Sequence, residues 1–242
     1  PEIQEVVSNL QESVELKRRF GRQASYVAGG TDLYPNMKRR HQEPQVVISL
    51  ARLDELRGIE TLTDGRLRIG ATETLSRIAD DERVRRGWPA LGAAAGQVAT
   101  PLLRNMGTLG GNLCLDTRCN YYNQTYEWRK SIDFCMKKDG DVCWVAPGSS
   151  RCWAVNSSDT APVAVAMGAE LELVGAEGRR TIPAAELYRD DGIDYLAKTP
   201  EELLVSVTLP APGRWAATYR KLRRRGAFDF PVLGVAVRLG FG

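Results

Sequence analysis

Two glycine-rich stretches decide the fold of this chain, Ala28-Gly-Gly-Thr-Asp-Leu33 and Arg104-Asn-Met-Gly-Thr-Leu-Gly-Gly-Asn112. The first directly follows a short strand predicted over Ala24–Ala28. Paired glycines after a strand are typical of phosphate cradles, because the backbone can approach an anion closely and its N–H groups can face the charge. One such turn is a weak signal. Two of them in one chain favour a phosphate-bearing cofactor over chance turns.

The flanking segments predict a mixed chain of helices and strands. The first fifty residues indicate a βαβ-like unit whose helix, Ser8–Phe20, ends at Gly21. Further strands are predicted at Gln45–Leu50, Leu67–Ala71, Glu170–Val174, Leu203–Leu209 and, as a pair, within Ala216–Leu239. Further helices are predicted at Leu33–Arg40, Thr74–Asp80, Ala90–Val98 and directly after Asp159.

The composition is that of an ordinary globular protein. Of the 242 residues, 43% are hydrophobic and 26% are charged, which excludes disordered, collagen-like and coiled-coil chains. Apolar runs stop near ten residues, too short for a membrane span, and an acidic N-terminus is unlike a signal peptide. We therefore expect a cytoplasmic protein. The net charge of +3 indicates no nucleic-acid partner, and the basic run Arg220–Arg225 is expected to be a solvated strand or an intersubunit surface.

Five cysteines fall within 39 consecutive positions and none lies elsewhere: Cys114, Cys119, Cys135, Cys143 and Cys152. Disulfides are disfavoured by the odd count and by the absence of export signals. Structural zinc sites usually take ligands from short knuckles, whereas the gaps here are 4, 15, 7 and 8 residues. An iron–sulfur cluster accepts dispersed thiolates from a wrapped loop. Spacing alone leaves a cluster, zinc and unligated core cysteines open.

The two glycine-rich stretches, in this order and separation, resemble the flavin subunit of the molybdenum hydroxylases, the family of xanthine dehydrogenase and carbon monoxide dehydrogenase. The segments Ser158-Asp-Thr-Ala-Pro162 and Tyr219-Arg-Lys221 fit the same pattern. The resemblance implies an α+β, PCMH-type FAD-binding fold of two α/β subdomains with an inserted iron–sulfur loop and the start of a C-terminal domain.

The implied N-terminal FAD-binding subdomain spans residues 1–55, and the second FAD-binding subdomain spans 56–212 with an iron–sulfur insertion at 114–153. Residues 213–242 are expected to be the beginning of a C-terminal domain, apparently truncated.

The implied FAD contacts come from both glycine-rich stretches and from three further segments. They are Tyr26, Val27, Ala28, Gly29, Gly30, Thr31, Asp32, Leu33, Thr100, Thr108, Gly110, Gly111, Asn112, Asp159 and Lys221. Thr31 is expected to donate its hydroxyl to the pyrophosphate. Asp159 is expected either to accept from a ribityl or ribose hydroxyl or to cap a helix. No catalytic acid–base residue is expected, because the flavin carries the chemistry, and His41 is expected to be exposed.

The inserted cysteine loop resembles that of the β subunit of 4-hydroxybenzoyl-CoA reductase. This likeness implies a 4Fe–4S cluster held by Cys119, Cys135, Cys143 and Cys152, with Cys114 as the spare. It also implies a molybdopterin-binding large subunit, a 2Fe–2S small subunit, a dimer of heterotrimers and a ferredoxin donor for reductive dehydroxylation of an aromatic acyl-CoA. The alternative is the FAD subunit of an oxidative molybdenum hydroxylase with a structural metal loop.

Overall fold

The computed structural model describes residues 3–241. Its N-terminal part contains a parallel sheet with strand order β1-β3-β2. The strands are β1 Ile3–Val6, β2 Ala24–Val27 and β3 Val46–Ser49. All four residues of β3 are buried, as expected for the central strand of a parallel sheet. The predicted βαβ unit is confirmed, and the first glycine-rich stretch leaves the sheet at the carboxyl end of β2.

Helix α1, Leu10–Phe20, connects β1 and β2 and is closed at both ends by its own sequence. The side chain of Asn9 accepts from the N–H of Glu12, and the Glu12 carboxylate accepts from the N–H of Ser8 at 2.7 Å. This reciprocal arrangement satisfies N–H groups that a helix start leaves free. Gly21 ends the helix with a φ of 53°, a conformation that favours glycine.

The second sheet has five antiparallel strands in the order β4-β5-β8-β6-β7. They are β4 Ile59–Thr61, β5 Leu67–Gly70, β6 Glu170–Gly175, β7 Gly178–Pro183 and β8 Leu203–Leu209. Apolar residues that alternate along β5, β6 and β8 build the larger hydrophobic core. The strands predicted at Leu67, Glu170 and Leu203 are confirmed to within one residue.

The remaining helices are α2 Leu33–Lys38, α3 Leu75–Asp80, α4 Glu82–Gly87, α5 Pro89–Gln97, α6 Pro101–Arg104, α7 Leu109–Leu113, α8 Tyr126–Ser131 and α9 Thr160–Met167. Of these, α7 contacts β8, and α9 contacts both α5 and α7. The alanine-rich α5 is buried between neighbouring elements, since Ala94 and Ala95 have no exposed surface. Its small side chains allow α5 to pack closely against α3, α9 and the last hairpin.

The last hairpin consists of β9, Trp215–Leu222, and β10, Leu233–Gly240. Tyr219 pairs with Ala236 in its antiparallel register. The predicted pair of strands is confirmed. The hairpin packs its inner face against α5 and α9, and its residues Tyr219 and Lys221 reach the start of α9.

The second glycine-rich stretch departs from expectation. The paired glycines predict a second phosphate cradle with free backbone N–H groups, but the stretch forms the short helix α7. Thr108 starts this helix, because its hydroxyl accepts from the N–H of Gly111 at 3.2 Å. Cys114 follows as the residue that ends α7.

Within the described range, no helix combines the length and the hydropathy needed to cross a membrane.

Candidate functional site

A cavity of about 720 Å³ lies where the two glycine-rich stretches meet. The stretches are in direct contact: a Cβ atom placed on Gly29 would lie 1.8 Å from the carbonyl oxygen of Met106. Of the residues predicted to contact a cofactor, thirteen line the cavity: Tyr26, Val27, Ala28, Gly29, Gly30, Thr31, Asp32, Leu33, Thr108, Gly110, Gly111, Asn112 and Asp159. Thr100 and Lys221 do not line it.

The first glycine-rich stretch offers unused hydrogen-bond donors to this cavity. Among residues 3–241, the N–H groups of residues 29–32 donate to no protein acceptor. Buried or partly buried backbone N–H groups are nearly always paired in folded proteins, so a run of four free donors indicates a ligand-facing backbone. Gly30 has a φ of 69°, which allows the tight turn. The Thr31 hydroxyl also donates to no residue in the described part of the chain.

The second stretch contributes in a different way. The N–H of Leu109 donates to Glu73, that of Gly110 to Ala71 and that of Gly111 to Thr108. Its backbone donors are therefore used within the protein. What the glycines provide here is close approach, since a Cβ on Gly110 would lie 2.8 Å from the Ala71 side chain. The expectation that both stretches expose their N–H groups holds for the first alone.

Asn112 joins the second stretch to the start of α9. Its side-chain oxygen accepts from the hydroxyls of Ser158 and Thr160, at 2.8 and 2.6 Å, and from the N–H of Thr160. This leaves the amide NH₂ of Asn112, on the cavity wall, without a partner among the described residues. Asn112 thus presents a donor to the cavity, held in a fixed orientation.

Asp159 lies at the cavity wall and is held by two residues of the last hairpin. Its carboxylate accepts from the Tyr219 hydroxyl at 2.6 Å and from Lys221 Nζ at 2.9 Å. Burial raises the pKa of Asp159, while the hydrogen bonds from Tyr219 and Lys221 act in the opposite direction. Asp159 stands at the N-cap position of α9, but its side chain makes no capping bond to that helix. Lys221 positions Asp159 from behind the wall.

Arg118 is a cavity residue that the sequence analysis missed. Its guanidinium bonds to Asp32 and, at 3.1 Å, to the Asn36 side chain. Burial raises the pKa of Asp32, and the charge of Arg118 acts against that shift. The other face of Arg118 lies against the Phe230 ring, whose centroid is 5.3 Å away. A single arginine beside Cys119 carries no recognisable motif, so only the fold could reveal this role.

The four cysteines predicted to hold a cluster line one small second cavity. Cys119, Cys135, Cys143 and Cys152 meet there, whereas Cys114 lines the large cavity instead. All five are free thiols in the structure. Burial raises the pKa of Cys152, and the nearby charge of Lys137 lowers it.

The second cavity has four sulfur donors and no His, Asp or Glu on its wall. Soft thiolate ligands of this kind suit zinc or an iron–sulfur cluster. Among residues 3–241, no group of three or more His, Cys, Asp or Glu side chains is arranged to hold a metal ion. Zinc needs its thiolates at about 2.3 Å from one point, and a 4Fe–4S cluster takes four thiolates on separate irons.

His41 is buried, and the expectation that it is exposed is wrong. Its Nε2 lies 3.0 Å from the carbonyl oxygen of Gln124, and its ring stacks on Tyr122 at 4.5 Å. The contact joins the N-terminal part of the chain to the cysteine loop, 83 positions later. Local sequence placed His41 among charged residues, and only the long-range contact explains its burial.

The burial of His41 predicts a pH dependence of stability. Burial lowers the pKa of His41 below its usual 6.5, so the unfolded chain binds this proton more tightly than the folded one. Stability is therefore retained above pH 6.5 and falls as the pH drops below it, by at most about 1.4 kcal/mol per pH unit for one proton. We expect urea unfolding between pH 7 and 5 to show a shallower loss in His41→Gln than in the parent protein. Parallel pH profiles of the two proteins would contradict this.

Residues 5–212 match the family described as the FAD-binding domain in molybdopterin dehydrogenase. The chain belongs to this family. The PCMH-type FAD-binding fold expected from the sequence is thereby confirmed, and the large cavity is the place in this fold where free N–H groups, close-packed glycines and fixed polar side chains meet.

Two curated relatives and one solved structure illustrate the likeness. The chain is 35% identical over 228 residues to the aldehyde oxidoreductase FAD-binding subunit PaoB of Escherichia coli, covering 88% of this chain and 70% of that protein. It is 29% identical over 229 residues to the carbon monoxide dehydrogenase medium chain of Hydrogenophaga pseudoflava, covering 93% of this chain and 64% of that one. A structure of carbon monoxide dehydrogenase from Hydrogenophaga pseudoflava superposes with a TM-score of 0.77 at 26% identity, over 98% of this chain and 69% of that one. The chain thus spans about two thirds of the length of these relatives.

The large cavity of this family member fits FAD chemically. A dinucleotide carries a pyrophosphate anion, and the four free N–H groups of residues 29–32 are backbone donors of the kind that binds such anions. The cavity lining also supplies the Thr31 hydroxyl, the Asn112 amide and the Asp159 carboxylate as further polar groups.

Proposed function

We propose that this chain is the flavin-bearing electron-transfer subunit of a molybdenum-dependent oxidoreductase, with FAD in the large cavity. The observation that carries the proposal is the run of free N–H groups at residues 29–32 on the wall of that cavity, in contact with the second glycine-rich stretch. Bound FAD would supply one- and two-electron transfer, which amino-acid side chains cannot.

The residues of the chain bind and orient the flavin. Residues 29–32 and the Thr31 hydroxyl hold the pyrophosphate, Asn112 donates its amide, and Asp159 accepts from a ribityl or ribose hydroxyl. Lys221 favours the ionised form of Asp159 and holds it in place, which is a positioning role rather than a direct contact with the cofactor. The remaining contacts, Tyr26, Val27, Ala28, Leu33, Thr108, Gly110 and Gly111, shape the wall. Thr100 acts through α6, because its hydroxyl caps that helix.

We further propose that Cys119, Cys135, Cys143 and Cys152 hold a 4Fe–4S cluster. Support comes from their meeting at one cavity, from the burial of three of them, and from a wall otherwise made mainly of aromatic and aliphatic side chains. The aromatic surroundings would limit access of water, which is one way a protein tunes a cluster. Cys114, on the wall of the large cavity, is the spare thiol.

The proposed domain division follows the three sheets. Residues 1–55 would form one FAD-binding subdomain and 56–212 the second, with 114–153 as the cluster-holding insertion. Residues 213–242 would begin a further domain. This division is supported by the family match, which ends at residue 212, immediately before the last hairpin.

For partners, we propose a molybdopterin-binding large subunit and a 2Fe–2S small subunit. The relatives are subunits of an aldehyde oxidoreductase and of carbon monoxide, xanthine and nicotinate dehydrogenases, all oxidative. They favour oxidation of a substrate at the molybdenum subunit, with electrons passing to this chain. The reductive, ferredoxin-linked role expected by likeness to 4-hydroxybenzoyl-CoA reductase is the second candidate, and the cysteine insertion is the feature that favours it.

The direction of electron flow separates the two candidates. In the purified enzyme complex, without oxygen, an aldehyde, xanthine or nicotinate is expected to bleach the flavin absorbance near 450 nm. For the reductive candidate, we expect reduced ferredoxin to bleach the flavin absorbance and 4-hydroxybenzoyl-CoA to restore that absorbance. A complex that contains no flavin would contradict the proposed function in either direction.

A further inference from the structure

A buried ion pair lies in the wall between the two cavities. Lys137 Nζ is 2.8 Å from Asp116 Oδ1, and the two side chains are only 7% and 9% exposed. Asp116 lines the large cavity, whereas Lys137 lines the cysteine cavity. The pair therefore places one charge at each of the two sites.

The Asp116 carboxylate is shared between residues of both cavities. Its second oxygen, Oδ2, accepts from the Tyr122 hydroxyl at 3.1 Å and from Gln42 Nε2 at 3.2 Å. Tyr122 lines the cysteine cavity and Gln42 the large one. The carboxylate thus makes the hydrogen bonds that hold the two walls together.

The Lys137 ammonium is fixed in place by three acceptors. Besides Asp116, it donates to Thr117 Oγ1 at 2.8 Å and to the Gly192 carbonyl at 2.7 Å, which uses all three of its N–H donors. Two aromatic rings flank it, Tyr122 at 5.0 Å and Tyr195 at 5.5 Å. A charge held rigidly among rings, away from water, acts on its neighbours far more strongly than a solvated one.

A contribution to folding alone does not explain the pair. Buried ion pairs are a weak source of stability, because the cost of removing two charges from water offsets their attraction. Exposed ion pairs such as Arg189–Asp194 lie on the surface. Of the lysines and arginines that form ion pairs in the described residues, only Lys137 lies on the wall of the cysteine cavity.

We propose that Asp116 and Lys137 set the reduction potentials of the groups in the two cavities and couple them. Lys137 places a fixed positive charge beside the cysteines, which favours the reduced, more negative state of the cluster. Asp116 places a negative charge at the flavin cavity and compensates Lys137 on the cluster side. This inference rests on the proposed function, because it requires a redox group in at least the flavin cavity.

The test measures midpoint potentials of flavin and cluster in the anaerobically purified holoprotein with its co-purifying subunits. Lys137→Gln is expected to shift both potentials to more negative values, and Asp116→Asn to shift both to more positive values. The double variant K137Q/D116N, which leaves no uncompensated buried charge, is expected to return towards the parent potentials. Lys138→Gln is the matched control: Lys138 is the next residue, pairs with Glu43 and is more exposed, so its removal is expected to shift the potentials little.

Opposite shifts for the two single variants support the coupling, because a purely structural role predicts no such change of sign. Unchanged potentials, or shifts in the same direction, would overturn it. If one of the single variants does not fold, the double variant and the remaining single variant still give the sign of the shift in midpoint potential. If the parent protein contains flavin but no iron, the cluster in the proposed function fails, and the flavin potentials alone decide the present inference.

Discussion

Replacing Gly29 with alanine is expected to remove most of the flavin from the purified protein. The new Cβ would lie 1.8 Å from the Met106 carbonyl oxygen and 2.5 Å from its carbon, so the two glycine-rich stretches must separate. Both atoms belong to the backbone and cannot rotate away. Overpacking of this kind costs about 2–3 kcal/mol, which corresponds to roughly 30- to 150-fold weaker flavin binding if the cost falls on the bound state. The loss of bound flavin is measured as flavin per chain, from the absorbance after gel filtration.

Gly226→Ala is the matched control for this prediction. A Cβ on Gly226 meets no atom within 4 Å, and its φ lies outside the positive range, so alanine is tolerated there. Gly226 also belongs to the connection between β9 and β10, whose residues Phe228 and Phe230 line the large cavity. If Gly29→Ala retains flavin as well as Gly226→Ala does, the contact between the stretches does not shape the flavin site.

Replacing any one of Cys119, Cys135, Cys143 or Cys152 with alanine is expected to remove the bound iron. A 4Fe–4S cluster takes four thiolates, and the described cavity wall offers no further thiol, His, Asp or Glu side chain in exchange. Iron and acid-labile sulfide should fall from about four of each per chain to a small fraction. Flavin content should be affected less, because these cysteines do not line the large cavity.

Cys114→Ala supplies the control for the four variants. Cys114 follows α7 and lines the large cavity, where burial raises the pKa of its thiol. Its removal should leave the iron content at the parent value. Iron loss in Cys114→Ala equal to that of the other four, or iron retained in all five variants, would contradict the assigned ligand set.

Sequence patterns predicted the parts of the fold that depend on local chemistry. Alternating apolar residues located β6 and β8, the glycine at position 21 located the end of α1, and the glycines after β2 located the cradle of free N–H groups. The prediction of a second cradle was wrong, because Thr108 caps a helix and the glycines that follow allow close packing on Ala71 rather than exposing their N–H groups.

The remaining site features depend on contacts between residues far apart in the chain. Arg118 meets Asp32 across 86 positions, and Gln42 meets Asp116 across 74. The burial of His41 likewise depends on the carbonyl of Gln124 and the ring of Tyr122. None of these residues stands in a motif, so their roles follow only from how the cysteine loop packs against the first sheet and its loops.

The absorption spectrum of the anaerobically purified protein, together with its iron and acid-labile sulfide content, tests the central claim most directly. We expect flavin absorption bands near 450 nm, together with a content of about four iron and four sulfide per chain. Flavin with zinc and without sulfide would keep the flavin site and contradict the cluster. Folded, intact protein with neither flavin nor iron would contradict the account as a whole.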